Sequence, residues 1–226
     1  MEVDKVTKIA LIHTVRSVLN SFEGLVKECL GEVYITNTLD EFLASDANEK
    51  GEFTIDNLNR LFNIIKASEL IGASAIVVTC STLSPAVEMI KPFIKVPLIA
   101  VDEAMTRKAV EIGKKITIMA SAESTIKPTK TQIMANSRRI NREVEINIVH
   151  CPEAYDAIRA GNIKIHDEIL LKHALEIKQQ DVIVLAQASM SHLAEKIEGI
   201  CGCPVLSSPK LCINQLKECL KENKSC

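Results

Sequence analysis

The feature that most restricts the fold is an internal repeat with a spacing of 107 residues. Moved along itself by that spacing, the chain around Cys80 aligns without a gap with the chain around Gln187. The same spacing carries residues 9–14 onto 116–121. Because one spacing serves two separate segments, the sequence predicts two structural units of the same design.

Each unit is predicted to be α/β. Ala75–Val78 is a short run of apolar, mostly β-branched residues, typical of a strand buried on both faces, and a helical pattern follows at Leu83 and Val87. Regular alternation of this kind predicts mainly parallel sheets with right-handed crossovers. We therefore expect two pseudo-symmetric Rossmann-like lobes, with the active site in a cleft between them.

Some segments are less regular. Residues 37–51 are polar and ambiguous between helix and loop, and they could form a mobile segment over the site. Helices are predicted over about 129–139 and 166–179, with a strand over 144–149 that runs into His150, Cys151 and Pro152.

Polar side chains collect where the predicted strands end. Cys80, Ser81 and Thr82 stand between the strand Ala75–Val78 and the next helix. Ligands of open α/β sheets bind at this edge, and helix amides there favour an anion and lower the pKa of a nearby thiol. The repeat predicts four such turns, at 13–17, 80–82, 121–125 and 187–189.

Composition excludes several classes of partner. The 226 residues carry a net charge of −2 and no long basic run, which argues against nucleic acid and anionic membrane surfaces. No apolar stretch approaches the ~18 residues of a membrane-spanning helix, and the acidic start lacks a signal-peptide pattern. The eight cysteines are expected to be reduced thiols in the cytoplasm, and no cysteine and histidine spacing predicts a metal site.

Four motifs stand out along the chain: Val-Val-Thr-Cys80-Ser-Thr, Ala-Ser121-Ala-Glu-Ser-Thr125, Ile-Val-Leu-Ala-Gln187-Ala-Ser-Met and Pro204-Val-Leu-Ser-Ser-Pro209. Together they are similar to those of the aspartate/glutamate racemase superfamily, which includes hydantoin racemases, arylmalonate decarboxylase and maleate cis-trans isomerase. The resemblance implies a homodimeric, cofactor-independent racemase or epimerase of amino acid metabolism. It would act at the carbon α to the carboxylate of a small substrate. It also implies lobes of residues 1–99 with 206–226 and 100–205.

The resemblance also implies roles for individual residues. Cys80 matches the first acid/base cysteine, whereas Gln187 stands where two-base racemases carry the second, and an amide cannot replace it as an acid or base. Cys151 is our candidate for a second catalytic group. His13 stands where family members often carry Asp. The predicted substrate-binding residues are His13, Thr14, Ser81, Thr82, Ser121, Ser124, Thr125, Gln187, Ala188 and Ser189.

Other functions stay open from the sequence. With a single thiol the chain could be a decarboxylase or isomerase of a small carboxylic acid, or a small-acid binding protein without turnover. Arg16 and Lys127 are the only basic residues in or beside the candidate turns, which disfavours aspartate or glutamate as substrate and leaves neutral or cyclic acids open.

Overall fold

Within residues 6–222, which the computed structural model describes, the strands form two four-stranded parallel sheets. The first sheet contains β1 (Lys8–His13), β2 (Tyr34–Leu39), β3 (Ala75–Val78) and β4 (Leu98–Ala100). The second contains β5 (Lys115–Ala120), β6 (Glu145–His150), β7 (Val182–Leu185) and β8 (Val205–Ser207). Their orders, β2-β1-β3-β4 and β6-β5-β7-β8, are equivalent. The predicted α/β fold with parallel sheets is confirmed.

The helices connect successive strands. They are α1 (Arg16–Leu30), α2 (Phe42–Lys50), α3 (Ile55–Leu70), α4 (Ser84–Ile90), α5 (Glu103–Ile112), α6 (Glu123–Arg139), α7 (Pro152–Arg159), α8 (Ile163–Ala174), α9 (Ala194–Cys201) and α10 (Ser208–Glu222). Short 3-10 turns at Ser81–Leu83 and Ala188–Leu193 follow β3 and β7. Among residues 6–222, every helix is too short or too polar to span a bilayer.

The strand register reproduces the sequence repeat. In the first sheet Ile9 of β1 pairs with Ala75 of β3, and in the second Ile116 of β5 pairs with Val182 of β7. Both pairs are related by the spacing of 107 residues. Because β3 and β7 are buried along their whole length, the apolar runs that defined them in the sequence are explained by packing on both faces.

The chain divides into two compact units, called here unit 1 (residues 1–101 and 209–226) and unit 2 (residues 102–208). The chain returns to unit 1 at α10. Ile213 and Leu216 of this helix join a core that also contains Phe22 and Val26. Each such buried side chain contributes roughly 1.5–3 kcal/mol of transfer free energy. Unit 2 has its own core beneath β5 and β7.

The ambiguous segment 37–51 is resolved into a strand end and a helix. β2 runs to Leu39, and α2 follows after Asp40, whose carboxylate accepts a hydrogen bond from the Phe42 amide (3.2 Å). Asp40 also pairs with Arg60 of α3. This stretch was ambiguous in the sequence because side-chain contacts with neighbouring elements hold it in place and no clear apolar period marks it.

Three helices differ from the prediction, and one of them is α8, which spans Ile163–Ala174 instead of 166–179. α6 begins at Glu123, not near residue 129, and carries Pro128 in its second turn. Glu123 is the repeat partner of Arg16, where α1 begins, so the strand-to-helix turn decides the start of the helix. α7 was not predicted; it buries only Ala154, and an eight-residue helix with so small a buried face leaves little apolar period.

The contact between Gly113 and Asp181 gives a stability test. A methyl group on Gly113 would lie 2.2 Å from Cβ of Asp181, whose carboxylate accepts the amides of Lys114 (2.7 Å) and Lys115 (2.9 Å). We expect Gly113→Ala to lower the free energy of unfolding by about 1–3 kcal/mol because this tight contact must open. Urea denaturation followed by circular dichroism measures it.

Gly24→Ala is the matched control. Gly24 lies inside α1 with open space around it, so alanine there should raise stability by about 0.5–1 kcal/mol through helix propensity. Equal effects of the two substitutions would contradict the role assigned to the Gly113 contact.

Candidate active site

The candidate site lies at the carboxyl ends of β1 and β3 in unit 1. Because these strands pair in parallel, His13 and Thr14 at the end of β1 come beside Thr79 and Cys80 at the end of β3. The corresponding ends of β5 and β7 in unit 2 bring Ser121 beside Gln187. The strand ends predicted from the repeat are therefore neighbours within each unit.

Cys80 is a half-buried residue at the start of the 3-10 turn Ser81–Leu83. Burial raises the pKa of this thiol, and hydrogen bonds from the Thr14 hydroxyl, from the amide and hydroxyl of Thr82 and from the Leu83 amide lower it only in part. The expectation that helix amides would leave the thiol with a lowered pKa is wrong, because desolvation outweighs these donors. At neutral pH Cys80 therefore carries its proton.

Thr14 is one of these donors. Its side chain is 4% exposed, and among residues 6–222 its hydroxyl has no hydrogen-bond partner of ordinary geometry, so its contact with the Cys80 thiol is a loose one. A buried hydroxyl without a well-formed hydrogen bond costs free energy. The adjacent Cys80 sulfur provides an acceptor when it ionises.

A chain of polar side chains runs from the solvent to the strand ends of unit 1. Nδ1 of the buried His13 lies 2.8 Å from the Thr79 hydroxyl, and Nε2 lies 3.0 Å from Oδ1 of Asn37. The Asn37 amide donates in turn to Glu23 (2.5 Å). Burial lowers the pKa of His13, although the hydrogen bond to Asn37 and the charge of Glu23 oppose this shift. Both ring nitrogens of His13 are engaged within unit 1, and its contact with substrate stays a prediction.

Little in the sequence pointed to these hydrogen-bonded side chains. Thr79 was part of the quoted motif, but Asn37 and Glu23 were missed. A strand predicted to reach Leu39 would have paired Asn37 with Leu11 of β1 and shown it beside the site. No sequence pattern marked Glu23, which reaches Asn37 from α1.

Gln187 is held by the turn that follows β5. Its Oε1 accepts hydrogen bonds from the Ser121 amide (2.7 Å), the Ala122 amide (3.0 Å) and the Ser121 hydroxyl (3.1 Å). The Gln187 side chain thus binds within its own unit.

The other predicted substrate-binding residues are distributed over the same turns. Thr125 lies in the first turn of α6 and donates its hydroxyl to the Ala122 carbonyl (2.8 Å), and Ser124 lies in the same turn. Ser81 is buried beside Cys80, and Ala188 and Ser189 begin the 3-10 turn after β7. Thr82 faces the thiol as described above.

Cys151 lies in the hydrophobic core of unit 2. Its side chain is fully buried with Met190 and Leu193, and burial, followed by the charges of Glu153 and Glu176, raises its pKa to about 11. Such surroundings oppose the thiolate that an acid/base cysteine needs. The catalytic role predicted for Cys151 stays a prediction, and its packing in the core of unit 2 argues against it.

A histidine cluster stands outside these turns. Asp167 of α8 accepts hydrogen bonds from His166 Nδ1 (2.8 Å) and from His192 Nε2 (2.9 Å). Burial would raise the pKa of Asp167, but the two histidines lower it. Among residues 6–222, no set of three or more His, Cys, Asp or Glu side chains is arranged to hold a metal ion.

A surface cavity of about 390 Å³ lies at the far end of α6 from Ser121, lined in part by Arg138, Asn141 and Arg142. Arg142 already donates to the carbonyls of Val110 (2.5 Å) and Glu111 (2.8 Å). A helix of 17 residues spans about 25 Å, so this cavity is separate from the strand ends.

The raised pKa of Cys80 predicts its reactivity. Alkylation of Cys80 by iodoacetamide, measured on its peptide by mass spectrometry, should follow a pH profile whose midpoint lies above that of a free cysteine peptide. Thr14→Val should move the midpoint further up because the thiolate loses a donor. Thr38→Val, at an exposed position of β2, is the control that should leave it unchanged. A midpoint below that of the free peptide would contradict this assignment.

The buried neutral His13 predicts a pH dependence of stability. Its pKa is lowered in the folded protein, so the unfolded chain binds the proton more readily. The contribution of His13 is present above about pH 6.5 and is lost as pH falls below it, by up to about 1.4 kcal/mol per pH unit until its folded pKa is reached. Comparing urea denaturation of wild type and His13→Gln over this range tests it, and equal pH slopes would refute it.

Comparison with known proteins gives the same architecture. The family model of Asp/Glu/hydantoin racemases matches residues 5–216. A glutamate racemase of Bacillus anthracis has 16% sequence identity and a TM-score of 0.75, covering 96% of this chain and 82% of that one. An aspartate racemase of Picrophilus torridus has 16% identity and a TM-score of 0.70, covering 95% and 94%.

An allantoin racemase of Klebsiella pneumoniae has 13% identity and a TM-score of 0.66, covering 96% of this chain and 89% of that one. At these identities the solved structures establish a common fold. The family match spans nearly the whole chain, including all four motifs at the strand ends. The chain therefore belongs to the Asp/Glu/hydantoin racemase family.

Proposed function

We propose that this protein is a cofactor-independent isomerase or racemase that moves a proton at the carbon α to a carboxylate, with Cys80 as its acid/base. The observation that carries the proposal is the set of donors around the Cys80 thiol, which comes from Thr14, Thr82 and Leu83. Donors of this kind stabilise the thiolate, the form in which cysteine accepts a proton. Membership of the racemase family supports the reaction class.

The proposed step needs only a thiol and hydrogen-bond donors. The Cys80 thiolate takes the α-proton, the C–H bond breaks, and its electron pair moves into the carboxylate to give an enediolate. Return of a proton to carbon restores the acid, with inversion when it arrives on the opposite face. The hydroxyls of Thr14, Ser81 and Thr82 are our candidates to hold the carboxylate and to stabilise the enediolate.

The raised pKa of Cys80 sets the expected pH dependence. Because the resting thiol is protonated, proton abstraction requires ionisation that burial disfavours. Bound carboxylate adds negative charge beside the thiol, so efficient abstraction depends on the donors from Thr14, Thr82 and Leu83. Turnover by a thiolate base should therefore increase as pH is raised toward the pKa of Cys80.

A second candidate uses Cys80 only as a proton donor. Decarboxylation of a substituted malonate breaks a C–C bond, releases CO2 and leaves an enediolate, to which the thiol delivers its proton before regaining one from water. Two features favour this reaction: burial raises the pKa of the Cys80 thiol, which favours its protonated form, and Gln187 is the repeat partner of Cys80.

Exchange in D2O tests the proposal. The protein is incubated with a panel of amino acids, hydantoins and substituted malonates, and the α-proton is followed by NMR. Cys80→Ala should lower the exchange rate by at least about 10²–10⁴-fold, because it removes the acid/base, while ligand binding is retained. Cys29→Ala, at a half-buried thiol of α1, and Cys151→Ala are the matched controls that should keep the exchange.

The outcomes separate the candidates. Exchange with inversion supports a racemase and requires a second proton donor, whereas retention or loss of CO2 supports one-thiol chemistry. Exchange that survives Cys80→Ala would contradict both. Binding without exchange across the panel would identify a small-acid binding protein.

We also propose that the protein acts in the cytoplasm as a homodimer. The family resemblance supports the dimer, and the exposed side chains of Leu70 (83%), Met89 (60%) and Phe93 (66%) offer apolar surface in unit 1 for a subunit contact. The reduced cysteines and the charge pattern support the location. Analytical ultracentrifugation tests the assembly, and a monomer at micromolar concentration would contradict it.

A further inference from the structure

Four hydrogen-bonded side chains of unit 1, called here the His13 network, are Glu23, Asn37, His13 and Thr79. Hydrogen bonds from Lys27 and Asn37 lower the pKa of the Glu23 carboxyl, which is therefore an ionised acceptor at neutral pH. The amide nitrogen of Asn37 must then donate to Glu23 (2.5 Å), which turns Oδ1 of Asn37 toward His13. The charge of Glu23 thus sets the direction of every hydrogen bond in the network.

This direction selects one tautomer of the buried His13 ring. Nε2 lies 3.0 Å from Oδ1 of Asn37, an oxygen that can only accept, so Nε2 carries the proton. In the neutral ring Nδ1 is then bare and accepts a hydrogen bond from the Thr79 hydroxyl (2.8 Å). The same hydroxyl lies 3.2 Å from the Ile12 carbonyl, but its one proton serves the shorter contact.

The bond between His13 and Thr79 ties the ends of β1 and β3 together beside the thiol. His13 ends β1 and Thr79 follows β3, and each directly precedes a residue of the candidate site, Thr14 or Cys80. The Thr79 amide also donates to the Ile12 carbonyl (2.9 Å). The side-chain bond therefore adds to the backbone pairing at the point where the Thr14 hydroxyl approaches the thiol.

Unit 2 shows that the sheet forms without such a network. In residues 102–208, all of which the structure describes, the strands have the equivalent order and pairing. The counterparts of Thr79, His13, Asn37 and Glu23, given by the repeat or for Asn37 by strand register, are Ala186, Ala120, Ile148 and Lys130. The network is therefore not a requirement of the fold, and it occurs in the unit that carries Cys80.

We propose that His13 and Thr79 are positioning residues for the site thiol. Asn37 and Glu23 hold the His13 ring in the Nε2–H tautomer, and the bond from Thr79 to this ring keeps the Thr14 hydroxyl within reach of the thiolate. Any effect on turnover rests on the proposed function, whereas the tautomer and the reactivity of the thiol can be measured without substrate.

The tautomer is tested by NMR of protein labelled with 15N in its histidine rings. In wild type, neutral His13 should show a bare Nδ1 and a protonated Nε2. Glu23→Ala removes the acceptor, so the Asn37 amide can turn over and donate to Nε2, and the opposite tautomer should appear. Glu23→Gln should keep the wild-type tautomer because its side-chain oxygen still accepts, and Glu28→Ala, at an exposed position of the same helix, should leave it unchanged. A wild-type ring protonated on Nδ1, or a tautomer that Glu23→Ala leaves unchanged, would overturn the assignment.

The positioning role is tested by the pH profile of Cys80 alkylation. Thr79→Val keeps the shape of the side chain and removes its bond to His13, so the midpoint should rise by about 0.5–1 pH unit. Thr79→Ser keeps the hydroxyl and should keep the midpoint. Added to Thr14→Val, Thr79→Val should raise the midpoint by less than it does alone, because both changes act through one donor. Thr117→Val, a buried threonine of unit 2, is the control that should leave the midpoint unchanged.

Two results would contradict the positioning role: an unchanged midpoint in Thr79→Val, or an equal rise in Thr79→Ser. Should Thr79→Val fail to fold, His13→Phe, which keeps a ring and removes its hydrogen bonds, gives the same measurement and should raise the midpoint.

Turnover separates this proposal from the proposed function. In the D2O assay Thr79→Val should lower the exchange rate at least about tenfold, and Thr79→Ser should keep it. If wild type exchanges no acid but the midpoint rises in Thr79→Val, the proposed function fails while the positioning role stands. If wild type exchanges and Thr79→Val changes neither the midpoint nor the rate, the reverse holds.

Discussion

Burial of the two central strands in each sheet is the constraint on which the candidate site depends. β3 is enclosed on both faces and pairs with β1, whose residues from Ile9 onward are also buried. A slip of one residue in this pairing would turn every buried side chain of a strand to the opposite face of the sheet. The register is therefore firmly held, and it brings Thr14 beside Cys80.

The parts of the fold that follow from strand burial were predictable from the sequence. The runs that became β3 and β7, the repeat and the strand-end turns all rest on local apolar pattern, which the packing preserves. What the sequence pattern missed depends on the surroundings in three dimensions. The raised pKa of Cys80 reflects how much protein encloses it, and the same holds for the core position of Cys151. α6 starts early because of the turn after β5, and Pro128 hid this early start in the sequence pattern.

The two units share a backbone but not the chemistry at their strand ends. His13 and Thr79, which bond each other in unit 1, correspond to Ala120 and Ala186 in unit 2. The polar chain to the solvent thus exists only in the unit that carries Cys80. Repeated strands keep the apolar residues that packing requires, whereas the residues just beyond them are free to differ. At those residues, unit 1 carries the reactive thiol and unit 2 carries a glutamine that fills its own turn.

The way the chain passes between the units bears on how the protein acquires its structure during synthesis. Unit 2 is one continuous stretch, so all of its core is available once residue 208 has emerged from the ribosome. Unit 1 is discontinuous. Phe22 and Val26 are covered only after Ile213 and Leu216 of α10 have been synthesised. Unit 1, which carries the thiol, is therefore completed after unit 2. It keeps an uncovered apolar face for most of translation.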